Sequence, residues 1–485
     1  MSLQRESIAI SSSSMLCAVI AGAAVTLDVL VVQFPFVGIA IAALLVIAAQ
    51  IWGPLLSLAV VLFTCGLLSY SPYDNGALSR LFPGDIAIGC FLIMWLLRAR
   101  PWSLKRLFQP TLLNGPLLGV AVVTLISMAW SRMFPDPSVT YSFPHSDVSW
   151  AMTQTSQVGL LAATICMPFA VATAIKSWRQ VEAVVVTVGI VSALGTLLTI
   201  AALLFRFGGD FAILGATRAY WEQPWHSSMP LNALILPFLY AGMLFGRRSL
   251  SAYGLVCVLV VQCSIGVVLT FSRECWLLAL FGISFVTALR LRWKILLPIA
   301  LIVLGLLTLS IWTPRAIGSV TRFYNPDEVY GLDRAYFYVT GLQLFVTHPF
   351  LGVGAGNYQF FDRVYAEVSS GGIAHNQFLT LAAETGVPGL LLFFWFLVVL
   401  LRIRKNLDLR KERVREPHYW LRAAGSVFVL VWIAECFFQE AFFISAAAGG
   451  GTKTITGGIF AWILLGVLFA IFKLSQPFAA ASTES

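Results

Sequence analysis

Long apolar stretches alternate with short polar segments along almost the whole chain. A membrane-spanning helix needs about 20 mostly apolar residues, and the sequence contains fourteen stretches of roughly that length. They are centred near residues 22, 42, 61, 90, 121, 162, 192, 238, 261, 282, 303, 390, 431 and 464. Only QFPF and IWGP separate the first three, so thirteen or twelve spans are alternatives. The pattern predicts an all-α polytopic membrane protein, a bundle of about 12–14 transmembrane helices.

The composition is that of an integral membrane protein. Hydrophobic residues make up 59% of the 485 positions and charged residues 11%, whereas a soluble domain carries roughly 25% charged residues. Length alone would suggest about three domains, but a polytopic bundle is one lipid-embedded unit, so residues 1–485 are expected to form a single membrane domain. No cleavable signal peptide is expected, because Arg5 and Glu6 precede a long apolar stretch without a small-residue cleavage site.

The basic residues predict the orientation of the bundle. If the N-terminus lies inside, the loops on that side contain about two thirds of the 31 lysines and arginines, with the densest run at residues 402–422. The positive-inside rule then predicts that both termini are cytoplasmic and that 402–422 is a basic cytoplasmic loop. We interpret this loop as an orientation anchor; the alternative is a segment that contacts anionic lipid headgroups. The net charge of +9 follows mostly from this bias, so no nucleic-acid partner is predicted.

The opposite, outer face carries the long loops. The longest covers about residues 313–374, and long ordered loops are usually functional. Within it, Tyr338, Leu342 and Phe345 follow Arg334 at helical spacing. This pattern predicts an amphipathic helix lying on the outer membrane surface.

The glycine-rich stretch THPFLGVGAGNY (347–358) allows a tight backbone turn. It lacks the strand–loop–helix context of a dinucleotide fingerprint, so nucleotide binding is not predicted. His348, which precedes a proline, is interpreted as a turn residue. The eight cysteines form no CxxC pair and the histidines no cluster. Neither a disulfide framework nor a zinc site nor another cofactor is therefore predicted.

Two arginines lie at membrane depth near the outer face. Arg218 belongs to an aromatic-rich loop, and Arg273 lies in TFSREC, a tight turn between two apolar runs. A cation at mid-membrane costs roughly 2.5–3.5 kcal/mol on insertion scales, so each arginine needs a partner. The partner is either a neighbouring carboxylate, such as Glu274, or a phosphate group, whose oxygens match the guanidinium fork.

The stretch GGIAHNQFLTLAAETGVPGLLLFFW places His375, Asn376 and Glu384 where an apolar run begins. Pro388 and its flanking glycines predict a kink or break. Residues 388–402 alone would span only about 22 Å at 1.5 Å per residue, short of the ~30 Å hydrocarbon core. The preceding segment is therefore expected to enter the membrane, with His375 near a helix N-terminus. There the positive end of the helix dipole favours a neutral imidazole and a nearby anion.

Glu384 lies nine residues after His375 and roughly opposite it on an ideal helix. It is expected to be a structural partner of a buried arginine or backbone group rather than a second catalyst. The outer face thus combines cationic phosphate ligands, a base at a helix start and a large loop above a membrane-level cavity. This combination suits a transferase whose donor is a lipid pyrophosphate in the outer leaflet.

These segments resemble a signature of the bacterial O-antigen ligase and lipid-linked glycan polymerase superfamily. HNQFLTLAAETGVPGLLLFFWFL resembles its H-N-x-F-L…E-x-G-x-x-G-L-L signature, and HPFLGVGAGNY its upstream H-P-x-x-G-x-G-x-G-N segment. TFSREC resembles its S-R-G turn, with Glu274 in place of the usual glycine. ATRAYWEQPWHSSMPLNALILP is a looser match to a segment with another arginine. The resemblance covers residues 216–395, in the family's order.

The resemblance implies an inverting, metal-independent glycosyltransferase of the bacterial inner membrane. Such an enzyme takes a glycan from undecaprenyl pyrophosphate at the periplasmic face. By this resemblance, Arg218 and Arg273 bind the pyrophosphate, and His375 binds or deprotonates the acceptor hydroxyl. Candidate helpers are Arg334, Asn376 and Glu384.

The signature is shared by several activities. A ligase joins O-antigen to lipid A–core in lipopolysaccharide, a polymerase joins repeat units to each other, and some members glycosylate proteins. We expect a ligase-like enzyme with a glycan or lipid A–core acceptor. The alternative is an O-antigen or exopolysaccharide polymerase, which the extra N-terminal spans relative to a typical twelve-span ligase slightly favour. An alternative of another class is a lipid-linked glycan transporter or flippase, which would need a cavity that reaches both faces.

The charge bias makes a testable prediction about topology, with residues 313–374 periplasmic and 402–422 cytoplasmic. A cysteine introduced at Ser319 should react with an impermeant maleimide on whole cells, whereas one introduced at Asn406 should not. The unaltered chain, with its own cysteines, gives the background. Equal labelling at both sites, or labelling at Asn406 alone, would contradict the predicted orientation.

Overall fold

The computed structural model describes residues 35–68, 83–98, 111–141, 150–206, 228–246, 249–270, 272–291, 333–361, 374–407, 409, 416–439 and 453–475. Within these ranges the regular structure is helical. In chain order the helices are α1 Pro35–Trp52, α2 Pro54–Leu67, α3 Pro83–Arg98, α4 Asn114–Met133, α5 Trp150–Ala174, α6 Trp178–Phe205, α7 Ser228–Phe245, α8 Leu250–Leu269, α9 Arg273–Leu291, α10 Asp333–Thr347, α11 Gln377–Lys405, α12 Tyr419–Glu435 and α13 Lys453–Ser475.

The predicted fold class is confirmed. Among the described residues six helices, namely α4, most of α5, α6, α8, α11 and the second part of α13, are long and apolar enough to cross a membrane. Twelve of the fourteen predicted centres fall on described helices, and those near residues 22 and 303 lie outside the described ranges. Pro35 and Pro54 each begin a helix, as expected for a residue whose missing N–H costs nothing at that position.

Helix α7 lies at the centre of the bundle and packs against α6, α8, α9 and α12. It is buried on all sides, which explains why it is apolar around its whole circumference. Its buried Asn232 accepts a hydrogen bond from Ser192 Oγ at 2.6 Å, and Gly266 of α8 leaves room for the amide. Small residues at such contacts let membrane helices approach closely, where lipid removes the usual hydrophobic drive.

The outward faces of the helices are apolar, unlike those of a soluble bundle. Large side chains such as Leu118 on α4, Val258 on α8, and Leu391 and Trp395 on α11 are exposed. Contiguous exposed apolar surface on a soluble monomer is rare. These faces are therefore suited to contact lipid tails.

Helix α11 is broken once, at Gly386, which confirms the predicted break. Gly386 has φ 67° and ψ −160°, outside the helical region, and Pro388 has no N–H to donate. In an unbroken helix the carbonyls of Ala383 and Glu384 would accept from residues 387 and 388. The Val387 N–H instead donates to the carbonyl of Pro349, in the loop before α11, at 2.8 Å. Both carbonyls therefore need other partners.

The loop at residues 347–358, here called the glycine loop, supplies those partners. The N–H groups of Val353 and Gly354 donate to the two carbonyls at 2.9 and 3.1 Å. The Ser127 hydroxyl of α4 donates to the second carbonyl as well, at 2.5 Å. Because a buried carbonyl without a partner is costly in a membrane protein, the break and the glycine loop depend on each other.

The close approach of the glycine loop to α11 requires glycine. Gly352 has φ +66°, and a Cβ at this position would lie 2.3 Å from the carbonyl carbon of Glu384. At Gly354, with φ +96°, a Cβ would lie 2.2 Å from Ser131 Oγ. The spaced glycines of this stretch therefore serve backbone packing.

Helix α10 confirms the helix predicted at Arg334. It packs on α11, with Phe337, Thr340 and Leu344 buried, whereas Leu342 is 56% exposed. The side of the helix that carries Leu342 is thus not the side buried within the protein, and its contact with the membrane surface stays a prediction.

Gly386→Ala tests the break. The added Cβ would lie 2.5 Å from Pro349 O at a φ of +67°, and the left-handed backbone alone costs a non-glycine residue about 1–3 kcal/mol. We expect a clear fall in the apparent melting temperature of the purified protein in detergent. Gly254→Ala is the matched control, because its Cβ would meet no atom within 4 Å and alanine favours a helix. A variant at Gly386 as stable as this control would contradict the account of the break.

Candidate active site

His375 lies immediately before α11. The helix begins at Gln377, and Asn376 is its N-cap, with Oδ1 accepting the N–H groups of Phe378 and Leu379 at 3.0 and 3.1 Å. An Asn cap of this kind satisfies two of the donors that a helix start leaves open. The predicted position of His375 at a helix N-terminus is thus observed, and Asn376 has a defined structural task.

The backbone of His375 is strained. Among the described residues it is the one non-glycine residue with positive φ, at 48°. A left-handed conformation costs an ordinary residue roughly 1–2 kcal/mol, so surrounding contacts must hold it. Two of them are the buried Ala374 before it and the N–H of Gln377 after it, which donates to Cys436 O at 2.9 Å. Strain held in this way is common at functional sites.

The segment 436–439, at the end of α12, forms one wall of this site. Besides the bond from Gln377, it accepts a weak hydrogen bond from Asn376 Nδ2 at Phe437 O, at 3.4 Å. The Phe437 and Phe378 rings lie 4.9 Å apart. The last residue of the segment, Gln439, reaches the histidine ring, with Oε1 3.2 Å from His375 Nδ1.

Gln439 also connects the histidine to the arginine turn. Its Nε2 donates to Glu274 Oε2 at 3.0 Å, and Glu274 is the second residue of α9, next to Arg273. The starts of α9 and α11 and the end of α12 therefore meet at one end of the bundle. The sequence contains no local signal for Gln439, which is 64 residues from His375 and 165 from Glu274.

The other predicted arginines are placed to different extents. The backbone of Arg334 lies in the first turn of α10, one turn before Phe337, whose ring centroid is 6.3 Å from that of His375. The backbones of Arg273 and Arg334 thus come to the same end of the bundle as His375. Arg218 lies outside the described residues, and the roles of all three arginines stay predictions.

Glu384 lies deeper, where α11 meets the glycine loop. It is 3% exposed, and its Oε1 accepts the backbone N–H of Tyr358 at 3.3 Å. Tyr358 begins the helical turn at 358–361, so the carboxylate takes the place of an N-cap there. These contacts hold the loop against α11.

His348 lies in the turn after α10. Its Nδ1 is 2.9 Å from Thr347 Oγ1, its Nε2 is 4.0 Å from Asp136 Oδ2, and its ring meets Phe361 edge-on. These contacts tie the glycine loop to the segment after α4. They match the interpretation of His348 as a turn residue.

A second polar cluster, missed in the sequence, supports the other side of the glycine loop. The Arg132 guanidinium lies 4.1 Å over the Trp150 ring, and Trp150 Nε1 donates to Asn357 Oδ1 at 2.9 Å. Tyr141 stacks on Trp150 with ring centroids 4.2 Å apart. Burial raises the pKa of the Tyr141 phenol, which therefore stays neutral and accepts the Asp136 N–H.

The fold and this cluster of polar groups define a multi-pass membrane protein with a candidate active site at one end of its helical bundle. Residues 255–394 match the family model described as O-antigen ligase. The match supports an O-antigen ligase-related family and confirms the resemblance found in the sequence. It also suggests a glycosyltransferase-like membrane enzyme that acts on a lipid-linked glycan and a glycan acceptor. No curated protein matches the chain.

The matched range contains part of the site. It includes Arg273, Glu274, Arg334 and His375 but begins after the segment of Arg218. Gln439 lies beyond its end. The contact between Gln439 and His375 is therefore a feature that only the three-dimensional structure of this chain reveals.

Proposed function

We propose that the protein transfers a glycan from undecaprenyl pyrophosphate to an acceptor hydroxyl at the periplasmic face, with inversion at the anomeric carbon and without a metal ion. The observation that carries the proposal is the placement of His375. His375 precedes Asn376, the N-cap of α11, and the later part of α11 is apolar. Gln439 connects His375 by two hydrogen bonds to Glu274, the residue next to Arg273.

In the proposed reaction His375 takes the proton of the acceptor hydroxyl. The hydroxyl oxygen attacks the anomeric carbon of the donor glycan, and the bond from that carbon to the pyrophosphate oxygen breaks. Undecaprenyl pyrophosphate leaves with the bonding electrons. Because pyrophosphate is a good leaving group, positioning and charge stabilisation carry most of the barrier.

The arginines supply the charge stabilisation. Arg218 and Arg273 bind the pyrophosphate oxygens, for which the guanidinium fork is better suited than an ammonium group. Glu274 lies next to Arg273, yet its carboxylate accepts a hydrogen bond from Gln439. Part of its negative charge is thus satisfied away from the arginine, which supports a phosphate role for Arg273.

The packing of the bundle favours transfer at one face over passage through the membrane. Trp432, Trp462, Phe396 and Phe428 are fully buried and fill the middle of the bundle, with the two indoles packed edge-to-face at 5.5 Å. The described polar contacts around His375 lie at one end. We therefore favour a transferase over a flippase. Among the transferases, the ligase activity is the first to assay.

Arg218→Lys tests the pyrophosphate contact. Lysine keeps the charge but loses the bidentate geometry, so we expect a large loss of glycan transfer at normal expression. The assay uses purified protein in liposomes with a lipid-pyrophosphate glycan and candidate acceptors, lipid A–core and free repeat units among them. If Lys is near wild type and Ala is inactive, charge alone matters. An active Ala variant would show that Arg218 serves in a structural ion pair instead.

His375→Ala tests the base. A positioned general base is typically worth 10²–10⁴ in rate, so we expect Ala to abolish transfer while donor binding and the melting temperature change little. In His375→Gln the introduced side chain can form hydrogen bonds but cannot take up a proton. Loss of transfer in this variant would support a base, and retained transfer would indicate that His375 only orients the acceptor. Near-normal transfer by Ala would remove His375 from the site. Movement of labelled headgroup across liposomes without transfer would support the flippase instead.

A further inference from the structure

Three side chains at the ends of three helices form a continuous hydrogen-bonded row that includes the proposed base: Glu274 in the first turn of α9, Gln439 after α12 and His375 before α11. Glu274 Oε2 accepts from Gln439 Nε2 at 3.0 Å, and Gln439 Oε1 lies 3.2 Å from His375 Nδ1. Glu274 is 9% exposed, so its carboxylate is largely out of water. Neither the proposed reaction nor the matched family range assigns a role to Gln439.

The chemistry of the row determines its direction. An ionised carboxylate only accepts hydrogen bonds, so the glutamine must turn its NH₂ group toward Glu274. Its carbonyl oxygen then faces His375, and that oxygen only accepts. The neutral imidazole must therefore carry its proton on Nδ1, which leaves the lone pair on Nε2. The charge at one end of the row thus selects the histidine tautomer at the other.

The nearby ionisable groups are consistent with a charge on Glu274. Glu435 is near enough to repel it, but its Oε2 is buried without a hydrogen-bond partner among the described residues, which disfavours a charge there. The backbone of Arg273 is adjacent to Glu274, and a neighbouring cation favours the carboxylate form.

The glutamine is held firmly enough to act in this way. The segment 436–439 is bonded to the start of α11 at Gln377 N and Asn376 Nδ2. The backbone N–H groups of Phe437 and Gln439 donate to the carbonyls of Ala434 and Glu435 in the last turn of α12, at 3.2 and 2.9 Å. The row therefore joins two ordered helix ends.

We propose that Gln439 and Glu274 are positioning residues that hold His375 in the Nδ1-protonated form. In this form Nε2 is the nitrogen that faces the acceptor hydroxyl. The proposal rests on the proposed function, in which His375 is the base. In that step Nε2 takes the hydroxyl proton, and the resulting imidazolium keeps its Nδ1–H bond to Gln439. Glu274 is not protonated in the reaction; it orients the amide.

Gln439→Met tests the proposal, because methionine keeps the length of the side chain but cannot accept the Nδ1 proton. We expect kcat for glycan transfer to fall roughly 10- to 100-fold, the range found for outer partners of metal-bound histidines, with KM for the lipid donor nearly unchanged. Gln262→Met is the matched control; this glutamine lies in α8, and the control should keep full activity. Normal kcat in Gln439→Met would overturn the proposal.

A spectroscopic measurement separates positioning from a merely structural role. In ¹⁵N-histidine-labelled protein in nanodiscs at mildly alkaline pH, the His375 signals, identified by their absence in His375→Ala, should show a protonated Nδ1. In Gln439→Met they should show a mixture of tautomers or protonated Nε2. An unchanged Nδ1-protonated signal in Gln439→Met would overturn the proposal whatever the activity.

A double variant tests the direction of the row. Gln439→Glu alone places two carboxylates together and should be strongly impaired. Combined with Glu274→Gln, the amide introduced at 274 donates to the carboxylate introduced at 439, which still accepts from Nδ1, so activity and tautomer should recover. If Gln439→Met shows no melting transition and so does not fold, the single variant Glu274→Gln tests the proposal instead. An amide at position 274 can donate as well as accept, so the side-chain amide of Gln439 is no longer held in one orientation. A pure Nδ1-protonated signal with normal kcat in that variant would contradict the proposal.

These outcomes distinguish the proposal from the function on which it rests. If His375→Ala is inactive while Gln439→Met is normal, the histidine acts without the row and only this inference fails. If His375→Ala transfers glycan normally, the proposed function of the histidine fails. The tautomer measurement still reports on the row in that case, because it does not depend on transfer.

Discussion

The break in α11 is the constraint on which this end of the molecule depends. Within a membrane protein every buried backbone group must find a partner inside the protein. The break removes the usual partners of two carbonyls, and the glycine loop and Ser127 replace them. Because the carboxylate of Glu384 also holds the first turn after that loop, a single locus joins α4, α11 and the segment that follows α10.

The break also divides α11 into two parts of different polarity. The part before Gly386 is short and carries buried polar residues, among them Gln377, Thr380 and Glu384. The part after it exposes Leu391 and Trp395 on a surface suited to lipid. A polar segment and an apolar surface thus lie on consecutive pieces of one element, an arrangement that suits the lipid-linked donor of the proposed function.

The position of His375 follows from the packing of the helix ends around it. Its left-handed backbone is held by the cap at Asn376 and by the bond from Gln377 to the end of α12. Glu274, the residue after Arg273, accepts a hydrogen bond from Gln439. This bond connects the arginine turn to the histidine.

The sequence by itself determined the membrane class, most helix positions, the break near Pro388 and the placement of His375 at a helix start. Each depends on local properties: the length of an apolar run, the missing N–H of proline, and the free donors of a helix N-terminus. It did not decide which side of α10 is buried within the protein, because apolar residues on both sides leave that choice to the neighbouring helix. Only the tertiary structure decided that Gln439 meets His375 and Glu274, which are 64 and 165 residues away. Such contacts depend on which helix ends lie side by side, and the periodicity of the individual helices carries no information about that arrangement.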